Sequence, residues 1–266
     1  MNLMMENTIE TGRDSSQCAS LYTIGIDGAG LAVVADSFGA LETRVEKDKL
    51  ITFDEILTHL ENNFAGSSGE RARLMLNSSP KYCGGNTVSD KWARRITDIW
   101  VKTVKNQKMP NGRQLIPGWF SWARTIEYGS AVDATPNGRK KGEPISHGAN
   151  PNPHFRTDGA VTAQASGIAA VQCGYGNTAP LQIEFDPQLK ADENGVEIIS
   201  NFILTHFKEG GTLININVLD KEKLLKAHKN PDLYPDLVVR VTGFTAYFAS
   251  LSPEFRELVV ERFLAD

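Results

Sequence analysis

The chain is poor in cysteine, with three in 266 residues, and Cys18, Cys83 and Cys173 stand far apart. No pair has the C-x-x-C spacing of a zinc site, and an all-cysteine iron–sulfur cluster needs four thiols. An odd, scattered set fits a reducing compartment better than a disulfide framework, so the expected location is the cytoplasm. A surplus of either charge is also missing. The 28 basic and 32 acidic residues leave a net charge of −4, which gives no electrostatic footprint for nucleic acid. The most compact basic cluster, Arg139-Lys140-Lys141, reads as a solvated turn. No apolar run reaches the ~18 residues that a membrane-spanning helix needs. Met1-Asn2-Leu3-Met4-Met5-Glu6 lacks the basic flank and apolar stretch of a signal peptide. Neither a nucleic-acid nor a membrane partner is expected. Internal repeats and low-complexity segments are absent too.

What is present is a chain that is 41% hydrophobic and long enough to bury a sizeable core. Short strands alternate with helices, which argues for an α/β fold. Residues 21–24 read as a strand, and residues 31–45 as an amphipathic helix with Val34, Phe38 and Leu41 on its apolar face. The glycines between them, Gly25, Gly28 and Gly30, suggest a dinucleotide-binding turn. They stand as G-x-x-G-x-G, however, and the fingerprint needs G-x-G-x-x-G, so a plain βα turn is favoured. Thr52 and Glu55 form a capping box that opens a helix, and Gly66-Ser67-Ser68-Gly69 reads as a chain break. A long helix from about Ser89 carries Trp92, Ile96, Ile99, Trp100 and Val104 at helical spacing. Trp119, Phe120 and Trp122 follow on a strand; core packing is the favoured role, pocket lining the alternative.

Residues 128–156 are turn-rich and unusually long for a connection, a property of functional loops and linkers. The sequence identifies no catalytic role for His147 within them, and it reads as a loop histidine. Beyond lie a helix near 160–171, an alternating strand at Pro180–Phe185, a helix over 195–208, a strand at 213–218 and a helix capped by Asp220. Ser252-Pro253-Glu254 is a strong helix start: an N-cap, a proline at the first position, then an acid that favours the helix dipole. Before it comes Leu237–Phe248, a strand by composition, with β-branched Val238, Val239, Val241 and Thr242 and aromatic Phe244, Tyr247 and Phe248. Gly243 interrupts it, and a glycine inside a strand usually marks a bend or a close approach to the backbone.

Arg240-Val241-Thr242-Gly243-Phe244 resembles the radical-bearing motif of the glycyl radical enzymes, the pyruvate formate-lyase superfamily, in which it lies close to the C-terminus. Four further regions stand in the family's order. They are Gly30–Ser37, Thr135-Pro136-Asn137-Gly138-Arg139, Gly148-Ala149-Asn150-Pro151, and Leu213–Asp220 with Asn230–Asp236. The resemblance implies the closing segments of a ten-stranded β/α barrel over residues 1–142 and a glycyl radical domain over 143–266. It implies a radical on Gly243, framed by Arg240, Thr242 and Phe244. A glycine is needed because a Cβ would crowd the flattened radical carbon. It also implies no bound cofactor. A separate radical S-adenosylmethionine activating enzyme with an iron–sulfur cluster would be a partner, removing one hydrogen from Gly243. The radical would then pass to a cysteine that attacks a small-molecule substrate in a closed, oxygen-free site.

The resemblance covers about the last third of such an enzyme, and none of the three cysteines stands in the family's catalytic loop. The chain alone is therefore expected to be an inactive part of a lyase. It would need an N-terminal remainder or a homologous subunit. A stand-alone radical carrier and an inactive remnant are the rivals. Residues 7–14 together with Val241–Phe248 look closest to the arylacetate (4-hydroxyphenylacetate) decarboxylases. In that branch a glutamate near the position of Glu10 contacts substrate and accepts a proton; an exposed loop acid is the plainer reading. The diol-dehydratase branch shares the Thr135–Arg139 pattern, which leaves the reaction open between C–C and C–X cleavage.

Overall fold

The computed structural model describes residues 2–18, 24–107, 109, 113–119, 124–152, 161–174, 179–185, 187, 193–241 and 244–265. The short helix α1 (Thr8–Thr11) precedes strand β1 (Ile24–Asp27) and helix α2 (Leu31–Leu41), which continues as a π-helical turn over Glu42–Lys47. Then come α3 (Phe53–Glu61), α4 (Gly66–Asn77), α5 (Val88–Lys105), β2 (Leu115–Gly118) and α6 (Thr125–Ser130). The C-terminal half holds α7 (Val161–Ala169), β3 (Leu181–Phe185), α8 (Glu193–Lys208), β4 (Ile214–Val218) and α9 (Lys221–Lys229). It closes with β5 (Val238–Arg240), β6 (Thr245–Tyr247) and α10 (Pro253–Ala265). The expected strand at residues 21–24 meets β1 at Ile24; the rest of it, and Phe120 and Trp122, lie outside the described residues.

The described strands form three two-stranded sheets. β1 pairs parallel with β2, Ile24 opposite Leu115; β3 pairs parallel with β4, Leu181 opposite Ile214; β5 and β6 form an antiparallel hairpin. Parallel pairs joined by helices are the building pattern of α/β folds. One core gathers Leu31, Tyr82, Trp119, Ile168, Val171 and Leu181. Trp92, Ile96 and Trp100 of α5 pack against it, as their spacing predicts, and the Trp119 indole nitrogen donates to Thr97 at 3.1 Å. A second core, Leu224, Val239, Val241, Phe248, Val259 and Phe263, lies beneath the hairpin.

Four expectations are corrected. Of the expected apolar face of α2, Leu41 packs against a core, but Val34 and Phe38 are 42% and 41% exposed, while Ala32, Ala35, Gly39 and Ala40 are buried. Small residues are selected because α5 approaches closely: a Cβ on Gly39 would lie 2.1 Å from the Ser89 hydroxyl. Gly66–Gly69 is not a break but the first turn of α4, where a Cβ on Gly69 would lie 2.5 Å from the Phe64 backbone. Strand β3 does not alternate in burial, since Gln182 and Glu184 are as buried as Leu181 and Ile183. And Arg139 is not solvated.

Arg139 is only 7% exposed. Its guanidinium donates to the carbonyls of Gly129 (2.7 Å), Val132 (3.2 Å), Asp133 (2.8 Å) and Glu143 (2.6 and 3.0 Å). The planar five-donor fork of arginine suits this use, whereas a lysine would reach fewer acceptors. The side chain thereby ties the turn-rich segment into a compact knot. Gly138, at φ +91°, closes the Thr135–Arg139 turn against the Arg73 carbonyl. The other loop signature is equally structural. Asn150 donates to the Pro180 carbonyl and accepts from the Gln182 amide, each at 2.9 Å, and so pins the start of β3.

Asp36 on α2 is buried beside these loops, accepting from the Tyr82 amide and the Asn152 carboxamide at 2.7 Å each. Burial pushes its pKa up from 3.8 to about 6, against the pull of Lys81 and these hydrogen bonds. Between pH 3.8 and about 6 the folded chain keeps a proton that the unfolded chain has released. Stability therefore falls as pH rises through that window, by about 3 kcal/mol in total. Urea denaturation from pH 4 to 7 checks this: the Asp36→Asn chain should lose that slope and gain on the wild type as pH rises. An unchanged slope in the variant would assign the proton elsewhere.

Candidate functional site

The hairpin carries the site. Val238, Val239 and Arg240 face Tyr247, Ala246 and Thr245, and the Val241 amide donates to the Phe244 carbonyl at 2.9 Å. Thr242 and Gly243, the two residues between those ends, lie outside the described residues. The alternation of the strand explains how the hairpin sits. Val239 and Val241 point into the second core, while Val238, Phe244 and Tyr247 are exposed. At the far end the Phe248 amide donates to the Leu237 carbonyl at 2.7 Å. Of the residues expected to frame the glycine, Arg240 is half-buried and donates to the Thr245 hydroxyl at 3.2 Å.

Two polar side chains, backed by a third, converge on the strand just before Thr242. Asn217 of β4 donates to the Arg240 carbonyl at 2.9 Å and accepts from the Arg240 amide at 2.7 Å. Arg262 of α10 donates to the Arg240 and Val241 carbonyls, at 2.9 Å each. Glu184 of β3 pairs with Arg262 at 2.6 Å and accepts from Asn217 at 3.0 Å, and its side chain is 1% exposed. Sequence reading did not single out these three. The signal available was polar residues recurring on two strands whose neighbours are all apolar, at Gln182, Glu184, Asn215 and Asn217.

The remaining candidates lie apart from one another in the chain and differ in setting. Glu10 is exposed on α1. Cys18 is half-buried in a turn near Thr11, Cys83 is buried and its amide donates to Asp90, and Cys173 is buried, with its thiol pushed up to about 12 by burial. His147 lies in a loop, as its sequence context implies. Among the described residues no group of three or more His, Cys, Asp or Glu side chains could hold a metal ion, and no helix is long and apolar enough to cross a membrane. A polar cleft of about 310 Å³ separates the Thr135–Arg139 turn from Leu258 and Glu261 of α10.

Two parallel strand pairs joined through helices are thus followed by a hairpin whose ends flank Thr242-Gly243 in sequence. Two family models match the chain in that order: pyruvate formate lyase-like over residues 1–129 and glycine radical over residues 145–249. The chain belongs to the glycyl radical enzymes. It is 30% identical to the isethionate sulfite-lyase of Oleidesulfovibrio alaskensis, over 88% of this chain and 28% of that protein. It is 29% identical to the trans-4-hydroxy-L-proline dehydratase of Clostridioides difficile, over 98% of this chain and 33% of that protein. The structure of the glycerol dehydratase of Clostridium butyricum superposes with a TM-score of 0.87 at 29% identity, covering 97% of this chain and 33% of that one. The 4-hydroxyphenylacetate decarboxylase glycyl radical subunit of Clostridioides difficile is also a relative, at 24% identity, so identity does not single out the decarboxylase branch. The chain spans about a third of the length of the curated relatives it matches.

Proposed function

We propose that this chain is the radical-storing part of a glycyl radical lyase, with the unpaired electron on the Cα of Gly243. The observation that carries this reading is the hairpin whose ends, Val241 and Phe244, are bonded at 2.9 Å on either side of Thr242-Gly243. It lies inside the segment that matches the glycine radical model. A radical S-adenosylmethionine activating enzyme takes one hydrogen atom from Gly243. The radical left behind is delocalised over the flanking amide nitrogen and carbonyl, and the absence of a Cβ lets the carbon flatten. In turnover a cysteine gives its sulfur-bound hydrogen atom to that carbon and becomes the thiyl radical that attacks substrate.

That cysteine is not one of the three in this chain. None of Cys18, Cys83 and Cys173 stands in the family's catalytic-loop context. The chain alone is therefore inactive, and an N-terminal remainder or a homologous subunit supplies the thiol. The join between barrel part and radical domain falls at 142/143, in the interval between the two matched segments. The sulfite-lyase and dehydratase relatives favour C–X elimination from a small hydroxylated substrate over decarboxylation. Glu10, exposed on α1, is the side chain available for a substrate contact near the N-terminus.

The test is anaerobic incubation of the 266-residue chain with its activating enzyme and S-adenosylmethionine, followed by EPR spectroscopy. The expected result is a glycyl doublet without turnover, and turnover once the thiol-bearing part is added. A folded chain that stays EPR-silent under those conditions is a remnant. A doublet that restores a damaged full-length homologue identifies a stand-alone carrier.

A further inference from the structure

We infer that Asn217 and Arg262, backed by Glu184, are positioning residues that lock the glycine hairpin to the β3–β4 sheet and to α10. The inference deepens the reading above and rests on it. The first ground is what the two side chains bind. They make four hydrogen bonds to the main chain of Arg240 and Val241, the last described residues before Thr242-Gly243. Apolar packing of Val239 and Val241 is non-directional and leaves the hairpin free to slide or tilt. Bonds to consecutive peptide groups do not.

The second ground is how β5 meets β4. The two strands pair in no ladder. The Asn217 carboxamide instead donates to the carbonyl and accepts at the amide of one residue, Arg240. A side-chain amide thus stands in for the peptide group of a neighbouring strand. Arg262 completes the attachment from the other element: Nη1 on Val241, Nη2 on Arg240, Nε against Glu184. A guanidinium reaches both carbonyls while its charge faces the Glu184 carboxylate.

The third ground is what lies behind them. Glu184 touches both Asn217 and Arg262 through its Oε1. A carboxylate at 1% exposure is tolerated only when paired and hydrogen-bonded. Networks of that kind set a unique geometry more than they add stability. The consequence is that β5, the β3–β4 sheet and α10 move as one body. Arg262 stands thirteen residues past the last residue matched by the glycine radical model, 249, so the lock adds α10 to the working domain.

The experiment compares Arg262→Lys, Asn217→Ala and Glu184→Gln with the wild-type chain. Folding is checked by near-ultraviolet circular dichroism and by the exchange of amides in α2 and α5. In variants that keep that fold, the Arg240 and Val241 amides should exchange about tenfold faster or more, and the EPR doublet should form in about tenfold lower yield or decay about tenfold faster. Arg262→Lys is the discriminating case, since it keeps the charge facing Glu184 and loses the fork. Folded variants with wild-type exchange overturn the lock. Faster exchange with an unchanged doublet leaves the lock structural and overturns the positioning role. No doublet in the wild type itself, with faster exchange in the variants, overturns the radical reading and leaves the lock standing.

Discussion

Gly243→Ala abolishes the glycyl EPR doublet. An alanine Cα bears a methyl group, which crowds the planar arrangement over which a glycyl radical is delocalised and blocks close approach to the carbon. The loss should be complete, because the proposal puts the unpaired electron on that one atom. If any radical did form at alanine, its three methyl hydrogens would split the line into a multiplet, so the spectrum also reports where the electron sits. The fold should be retained, since the hairpin is anchored on Val239, Val241 and Phe248 in the core beneath it. A doublet of wild-type shape from the folded variant would place the radical elsewhere. The control is Thr242→Ser, which should leave the doublet in place, as the threonine is not asked to carry spin.

Arg139→Met should cost about 3–5 kcal/mol of stability, a large share of what a domain has. The aliphatic stem is kept, so the change isolates the guanidinium. Four carbonyls, of Gly129, Val132, Asp133 and Glu143, lose their donor in a site with little access to water. Each buried acceptor left unpaired costs about 1–3 kcal/mol, tempered by water entering from the neighbouring cleft. Arg139→Lys should recover roughly half of the loss, because an ammonium can serve only some of those acceptors. Urea denaturation measures both. A cost under about 1 kcal/mol for the methionine variant would mean that the carbonyls rehydrate freely and that the knot is not held by this side chain.

The contrast between these two residues shows what could be read ahead of the structure. The family was legible because the motif around Gly243 is local, and its segment matches the glycine radical model. Arg139 was misread for the complementary reason. Next to Lys140 and Lys141 it looks like part of a basic, water-facing turn, and nothing in the linear order says that the chain folds back so that four carbonyls converge on it. The helix starts were legible, since Thr52, Asp220 and Ser252 each cap the amide three positions on. The buried face of α2 was not. Its Val34 and Phe38 are large apolar groups left partly exposed, while the close approach of α5 selects glycine at 39, where a Cβ would meet Ser89.

The order of residues by itself determined the α/β alternation, the caps, the long aromatic helix and the motif that matches the glycine radical family, because each depends on residues within a few positions. Only the tertiary structure decided that Glu184, Asn217 and Arg262 meet at Arg240. They come from two strands and a helix spread over some eighty residues, and a buried polar group finds its partners through the packing of whole elements, which no local pattern encodes.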